Sequence, residues 1–501
     1  MKPDMLPLVS RAGRAMGDRL RTGSRTCLRT CLRTCLFACS CACLLAACAA
    51  RPPMPPLHEQ LPAAYAAEPG WRELGEATPM PADGAWWQVF GDPSLDRLER
   101  ELGRHNQSLA AQLAVYQQAQ AALEQARAAY APVLQATAAA TRSRNLPAQG
   151  AAPSAQNSFS AGLQASWEPD LWGSVRLQVE QGRANAQASH ATLRSTRLSL
   201  EASLASTYLQ LRTVDAQERL ADATVGDYTR ALQLTRSRYQ AGVDTAANVA
   251  QARTQLLQAQ TTRTDLQVTR RQLLDAIAVL VGQPAPGFVL APDGDLPAVP
   301  RVPAGVPAEL LLRRPDLAAA SQQVLAANAQ IGIDQRAWLP TITLGTSAGA
   351  QAATLAQLFS APTLYWSLGP SLAATLFDGG LRSARLAAGR AAYRQTVAVY
   401  RQDVLQAMQQ VQDNLYAQAI LRHEARQQEQ VVRAAEVSLR LALNQYKAGT
   451  ADYLGVITAQ TTATSARNAV LTLRNRRYAA AVNLIAALGG SWGGAAASPR
   501  R

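Results

Sequence analysis

The chain has 501 residues and a formal charge of +14, from 49 basic and 35 acidic side chains. Residues 1–47 hold eight of the basic groups and two of the acidic ones, so the rest carries 41 against 33, the balance of an ordinary solvated surface rather than a nucleic-acid footprint. All seven cysteines lie from Cys27 to Cys48, which excludes disulfide scaffolds, thiolate metal sites and thiol enzymes from everything that follows.

An Arg-rich leader runs into a short apolar stretch, Thr34 to Ala47, whose length suits a signal-peptide core better than a membrane-spanning helix. It ends in Leu45-Ala46-Ala47-Cys48, which resembles the bacterial lipobox, where the Cys48 thiol would carry diacylglycerol. An ordinary secretory signal is the plainer alternative. The resemblance, with Ala49 in place of an aspartate, implies the outer rather than the inner membrane. Repeated Arg-Thr-Cys-Leu units from Arg25, Arg29 and Arg33 make Met16 a second candidate start. Residues 48–85 then form a proline-rich arm.

The first strands come next. Leu134 to Arg142 alternates weakly, whereas Phe159, Ala161, Leu163, Ala165 and Trp167 alternate with Ser160, Gly162, Gln164 and Ser166, the period of a strand with one apolar face. Ser143 to Ser158 reads as an exposed loop between them. From Asp170 to Gln283 there is no proline, and the Ala-, Leu-, Gln- and Arg-rich composition predicts long helices. Leu193, Leu200, Leu204 and Leu211 recur at helical spacing. The only break is Tyr239-Gln240-Ala241-Gly242, where glycine can take the positive φ that ends a helix. A helix from Ser174 to Tyr239 is about 100 Å long, beyond an ordinary core, and implies a coiled-coil hairpin reaching across a space.

After a proline-crowded crossing, Gln283 to Pro315, the pattern returns at an offset near 207 residues. Tyr446-Lys447-Ala448-Gly449 matches the first break, Val456 matches Val249, and Gly489 matches Gly282. Pro340 to Ala350 and Leu364 to Leu376 are the second pair of strands, Gln351 to Thr363 an exposed loop, and Leu381 to Lys447 the second long helix. The organisation is therefore 1–47 leader, 48–85 arm, 86–283 first repeat, 284–310 linker, 311–489 second repeat and 490–501 tail. Strands of about 9–11 residues with dyad alternation suit a transmembrane barrel, and a soluble four-stranded sheet is the alternative. Four strands close no barrel alone, so a barrel here must be shared.

These motifs resemble the TolC-type outer-membrane efflux proteins, in their NodT-like lipoprotein branch. The resemblance rests on the lipobox, Trp86-Trp87-Gln88-Val89-Phe90-Gly91-Asp92-Pro93, Leu311-Leu312-Arg313-Arg314-Pro315-Asp316-Leu317, Trp167-Glu168-Pro169-Asp170-Leu171-Trp172-Gly173, Leu376-Phe377-Asp378-Gly379-Gly380 and the two Tyr-x-Ala-Gly turns. It implies a mainly α fold with a small β part. Duplicated helical hairpins would form a periplasmic tunnel, and four strands per chain would enter a 12-stranded outer-membrane barrel in a homotrimer. It also implies a periplasmic adaptor and an inner-membrane resistance-nodulation-division pump as partners, contact with outer-membrane lipid, and no cofactor.

The tips are the candidate site: Tyr239, Gly242, Asp244, Asn248, Tyr446, Lys447, Gly449, Asp452 and Thr458. Lys447 is the only lysine after the leader, and the turn recurs in both halves. The resemblance makes the tips a gate and an adaptor contact; plain hairpin turns are the alternative. Positions where the family carries gating aspartates read Asn248, Gly455 and Thr458, which leaves Asp244 and Asp452 as candidate substitutes. Arg313-Arg314-Pro315-Asp316 reads as a helix start rather than a partner contact. Four scattered histidines and the lack of a phosphate loop or nucleophile elbow point to no enzyme. A passive efflux duct, a protein-secretion duct of the same fold and an envelope scaffold remain as functions, with lipidation favouring small-molecule efflux.

Overall fold

The computed structural model describes residues 84–144, 155–301 and 313–490; the leader, Cys48, the proline-rich arm, Leu311, Leu312 and residues 491–501 lie outside them. A 3-10 turn, Trp86–Phe90, leads into α1, Pro93–His105. Asp92 caps α1 by accepting from the backbone of Ser94 at 2.8 Å and Leu95 at 3.2 Å, and Pro93 occupies the first helical position, where no N–H is needed. Then follow α2 (Gln107–Ala128), β1 (Val133–Arg144), β2 (Ala155–Trp167), α3 (Ser174–Gln240) and α4 (Ala246–Leu280). The second half supplies α5 (Pro315–Arg336), β3 (Thr341–Ala352), β4 (Leu364–Ala373), α6 (Leu381–Lys447) and α7 (Tyr453–Ala487). No helix among the described residues is long and apolar enough to cross a membrane.

The duplication is visible in the element lengths. Both long helices have 67 residues, about 100 Å, and both return helices have 35. Each long helix starts on an aspartate of a joint motif. Asp170 accepts from the backbone of Val175 and Arg176, both at 2.9 Å, and Asp378 accepts from Gly380 at 3.0 Å and Arg382 at 3.1 Å. These bonds satisfy donors that a helix N-terminus leaves open.

The sheet is antiparallel in the order β1-β2-β3-β4, with β1 and β4 as edges. Its register aligns Leu134, Ala165, Thr346 and Leu368 on one face and Thr137, Gly162, Gly349 and Tyr365 on the other. The first face is apolar through its middle apart from Thr346; the second is built mainly from Ser, Thr, Gly and Gln, with Ala139 and Tyr365 among them. The Tyr365 hydroxyl stands 3.0 Å from where a Cβ on Gly349 would sit and 3.3 Å from one on Gly162, so glycine makes room for the ring.

Three boundaries differ from the sequence reading. The first hairpin extends to Arg144 and Ala155, because ladder pairing continues past the weak alternation. β4 ends at Ala373 rather than Leu376: the Thr375 carbonyl is taken by Arg382 at 2.8 Å, and the chain turns into the Asp378 cap. The segment 351–363 is not simply an exposed loop. Two 3-10 turns, Leu355–Gln357 and Ala361–Thr363, fold Leu358 onto Ala350 and Ala352, beside Phe159.

The main core lies midway along the hairpins. Trp86, Trp87 and Phe90 pack there with Leu95, Leu98 and Leu102 of α1, Tyr208 of α3, Ile277 of α4 and Ile485 of α7. The described part of the crossing, residues 283–301, holds no helix or strand and is pinned by side chains. Arg270 donates to the Leu290 carbonyl at 2.9 Å, and Arg474 donates to Leu296 and Pro297 at 3.0 and 2.9 Å. Buried Arg212 pairs with Asp293 of the crossing and lies 3.8 Å from Asp92 and 3.7 Å from Asp215. Arg314 is likewise internal, donating to Asp316 at 2.7 Å, Gln410 at 3.0 Å and the Ala487 carbonyl at 3.2 Å.

Candidate functional site at the helical tips

Each Tyr-x-Ala-Gly is the end of a helix closed by the same paired bonds. Gly242 donates to Tyr239 at 2.9 Å and Val243 to Arg238 at 2.9 Å; Gly449 donates to Tyr446 and Thr450 to Gln445, both at 3.0 Å. This is the Schellman closure, in which the residue after the C-cap needs positive φ. Gly242 and Gly449 have φ of 74° and 75°. The return helices then start on Thr245, whose Oγ1 accepts from the Asn248 backbone at 3.3 Å, and on Asp452, whose carboxylate accepts from Tyr453 at 2.6 Å.

The two tips share a backbone but not an environment. Tyr239 is 49% exposed, whereas Tyr446 is 2% exposed. Tyr446 packs with Ala231 and Leu232 of α3, Ala252 of α4 and Tyr453 and Val456 of α7, so one cluster joins both hairpins. Its hydroxyl donates to the Asp244 carboxylate. Asn248 donates its amide both to Asp244 and, at 3.2 Å, to Asp452, tying the first turn to the second cap. Arg238 lies with its guanidinium 4.6 Å from the Tyr446 ring centroid and 3.7 Å from the Asp244 carboxylate.

Burial would raise the Asp244 carboxyl, but the hydrogen bonds from Tyr446, Asn248 and the Thr245 backbone, with the Arg238 charge, outweigh it and hold the group below the usual carboxylate range. Tyr446 moves the other way, raised by burial and then by its bond to Asp244. Tyr453 is pushed up to about 12, chiefly by burial.

The structure thus gathers Asp244, Asn248, Tyr446 and Asp452 into one network. It leaves Tyr239, Lys447 and Thr458 exposed, Thr458 bonding only its own helix through the Leu454 carbonyl at 2.9 Å. Gly455 is also exposed. Arg238, Thr235 and Tyr453 belong to the network without having been singled out from the sequence. A basic residue in the last helical turn was the legible signal for Arg238.

The outer membrane efflux protein family model matches residues 99–283 and 306–490. The chain belongs to this family. It is 32% identical to the pyoverdine export outer membrane protein OpmQ of Pseudomonas aeruginosa, over 90% of this chain and 95% of that one. Among solved structures it is similar to the outer-membrane channel OprN, with a TM-score of 0.81, 27% identity and coverage of 89% of this chain and 100% of that one. It is also similar to the outer membrane protein VceC of Vibrio cholerae, with a TM-score of 0.76, 29% identity and coverage of 82% and 99%. These two solved structures share the fold described above.

Proposed function

We propose that the protein is the passive outer-membrane duct of a tripartite efflux system, in which three chains close twelve strands into one barrel. The observation that carries this reading is the sheet. Its two edges, β1 and β4, are unpaired among the described residues, one face is largely apolar, and the other is mostly small and polar, as the interior of an aqueous barrel requires. Exposed apolar side chains along the hairpins, among them Leu405, Tyr416, Ile420, Val437 and Leu441, support burial against further copies.

In this reading the hairpins continue the barrel as a tunnel across the periplasm. Their tips meet a periplasmic adaptor, which links them to an inner-membrane resistance-nodulation-division pump. The Asp244–Tyr446 network holds the tips closed, and Lys447 and Tyr239 remain outside for the adaptor. The cargo is a small organic molecule, selected mainly by the pump. Cys48 carries the lipid anchor, and palmitate labelling lost in Cys48→Ser tests that step. The duct itself is tested by the detergent-corrected mass of the purified protein and by planar bilayers. A trimer with discrete conductance steps is expected; a monomer, or a protein that never conducts, would sink the proposal.

A further inference from the structure

The four strands hold two charged side chains, Arg142 and Arg144, both at the far end of β1. Alternate residues on a strand share a face. Arg142 and Arg144 fall in the parity of Leu134, and the register carries that parity to Trp167, Leu344 and Trp366, the apolar face. The Ser- and Gly-lined face has no charge at all. Both arginines are exposed, and neither has an ion pair among the described residues.

Their height is equally defined. All four strand-to-helix joints lie at the opposite end of the sheet, near Val133, Trp167, Thr341 and Ala373. Ten residues separate Leu134 from Arg144, about 33 Å along the strand and about 25 Å along the axis for a strand tilted by about 40°. That matches the apolar band of an outer-membrane barrel, so the arginines stand at its outer edge, where a lipid-facing arginine is tolerated. The β3–β4 turn reaches the same edge. Leu358 seats it on Ala350 and Ala352, which share the arginines' parity, beside Phe159 of the intervening β2, and Leu355 and Phe359 of the turn stay exposed.

We propose that Arg142 and Arg144, with Leu355 and Phe359, form a binding surface for phosphorylated lipid of the outer leaflet. The guanidinium forks take the headgroup phosphates in paired hydrogen bonds, and the turn's apolar side chains cover the upper acyl carbons. A soluble anion would gain only the charged contact from these arginines; a lipid whose chains already lie on that face gains the apolar contact as well. This inference rests on the barrel reading above.

The test uses the full-length protein in detergent, titrated with diphosphoryl lipid A and, in parallel, with phosphatidylcholine, with bound lipid counted by native mass spectrometry. Lipid A is expected to bind in preference to phosphatidylcholine, and R142Q/R144Q to weaken it about tenfold or more. R142K/R144K is expected to bind at an intermediate level, because lysine keeps the charge without the fork. Adding S143R to the R142Q/R144Q pair returns a charge to the opposite face and is expected not to restore binding. Equal lipid A binding by wild type and R142Q/R144Q, or full recovery with S143R, overturns the proposal. Bilayer conductance of the same preparations separates the two readings: steps retained by R142Q/R144Q leave the duct standing whatever the lipid result, whereas a silent wild-type protein strikes the duct itself.

Discussion

Tyr446 and Asp244 lie 202 residues apart in the chain, and the phenolic hydroxyl of one donates to the carboxylate of the other, fastening the second hairpin to the turn of the first. The bond sits between groups that stay buried, so its loss is not made good by water. Tyr446→Phe keeps the ring in the cluster and removes only the donor; we expect a local loss of about 1–2 kcal/mol. Faster hydrogen exchange across residues 239–249 and more frequent opening in planar bilayers should follow. Exchange and opening rates equal to those of the wild type would remove the latch.

The same pair sets a pH window. A carboxyl held below its ordinary value contributes stability that is present above about pH 3.9 and is lost as the pH falls through its folded value. A phenol raised above its ordinary value contributes stability that is present below about pH 10 and is lost as the pH rises through its folded value. Between those limits neither group changes charge. Closed-state conductance should therefore be flat from about pH 5 to about pH 9 and rise only beyond, toward strong acid or strong alkali. A sharp transition near neutrality would assign the closure to some other group.

The Schellman turns offer a test of backbone alone. Nothing lies within 4 Å of where a Cβ on Gly242 or Gly449 would sit, so the first carbon of a side chain is accommodated and the penalty of a substitution comes from φ. Asn tolerates the left-handed region and Val does not. We expect Gly242→Asn/Gly449→Asn to keep efflux near wild type, and Gly242→Val/Gly449→Val to impair it while export and assembly persist. Drug accumulation at matched expression measures the difference, and equal transport by the Asn and Val pairs would show that turn geometry is irrelevant to function.

Much of this was legible in the residues, for identifiable reasons. Proline-free stretches and the repeated Tyr-x-Ala-Gly gave the long helices nearly to the residue, because glycine at positive φ is a local requirement. The difference between Tyr239 and Tyr446 was not legible, since identical local motifs acquire different burial only when the second hairpin packs against α3. The alternation runs on to Leu376, but Asp378 of the joint motif accepts from the Arg382 backbone and the Arg382 side chain takes the Thr375 carbonyl, which turns the chain out of the ladder at Ala373. Asp244 was a candidate from position alone, but its partner across the hairpins could not be read from either repeat singly.

Glu99 was passed over, although its spacing announces burial: it follows Leu95 by four residues and Leu98 by one, and precedes Leu102, on the face that α1 turns to the core. It is 2% exposed, and neither carboxylate oxygen has a hydrogen-bond partner among the described residues. The neighbouring Glu201 takes the available donors, Trp86 at 3.1 Å and Arg197 at 2.8 Å. Burial, reinforced by the Glu201 charge and opposed by Arg197, raises the Glu99 carboxyl well above its ordinary value. The sign follows from the protonated form being the one that the fold favours. Its contribution is fully present below about pH 4.3 and is lost as the pH rises through the folded value. Glu99→Leu replaces an unsatisfied carboxyl with an apolar side chain of similar volume, and we expect a gain of about 1–3 kcal/mol at pH 8. The gain should shrink toward pH 5, nearer the range in which the raised carboxyl costs the fold nothing. Thermal unfolding of both proteins followed by circular dichroism at the two pH values measures this. An identical shift in Tm at both would mean that the Glu99 carboxyl is not raised by the fold, and a lower Tm for the variant at both would mean that its carboxyl has a partner worth more than the burial it suffers.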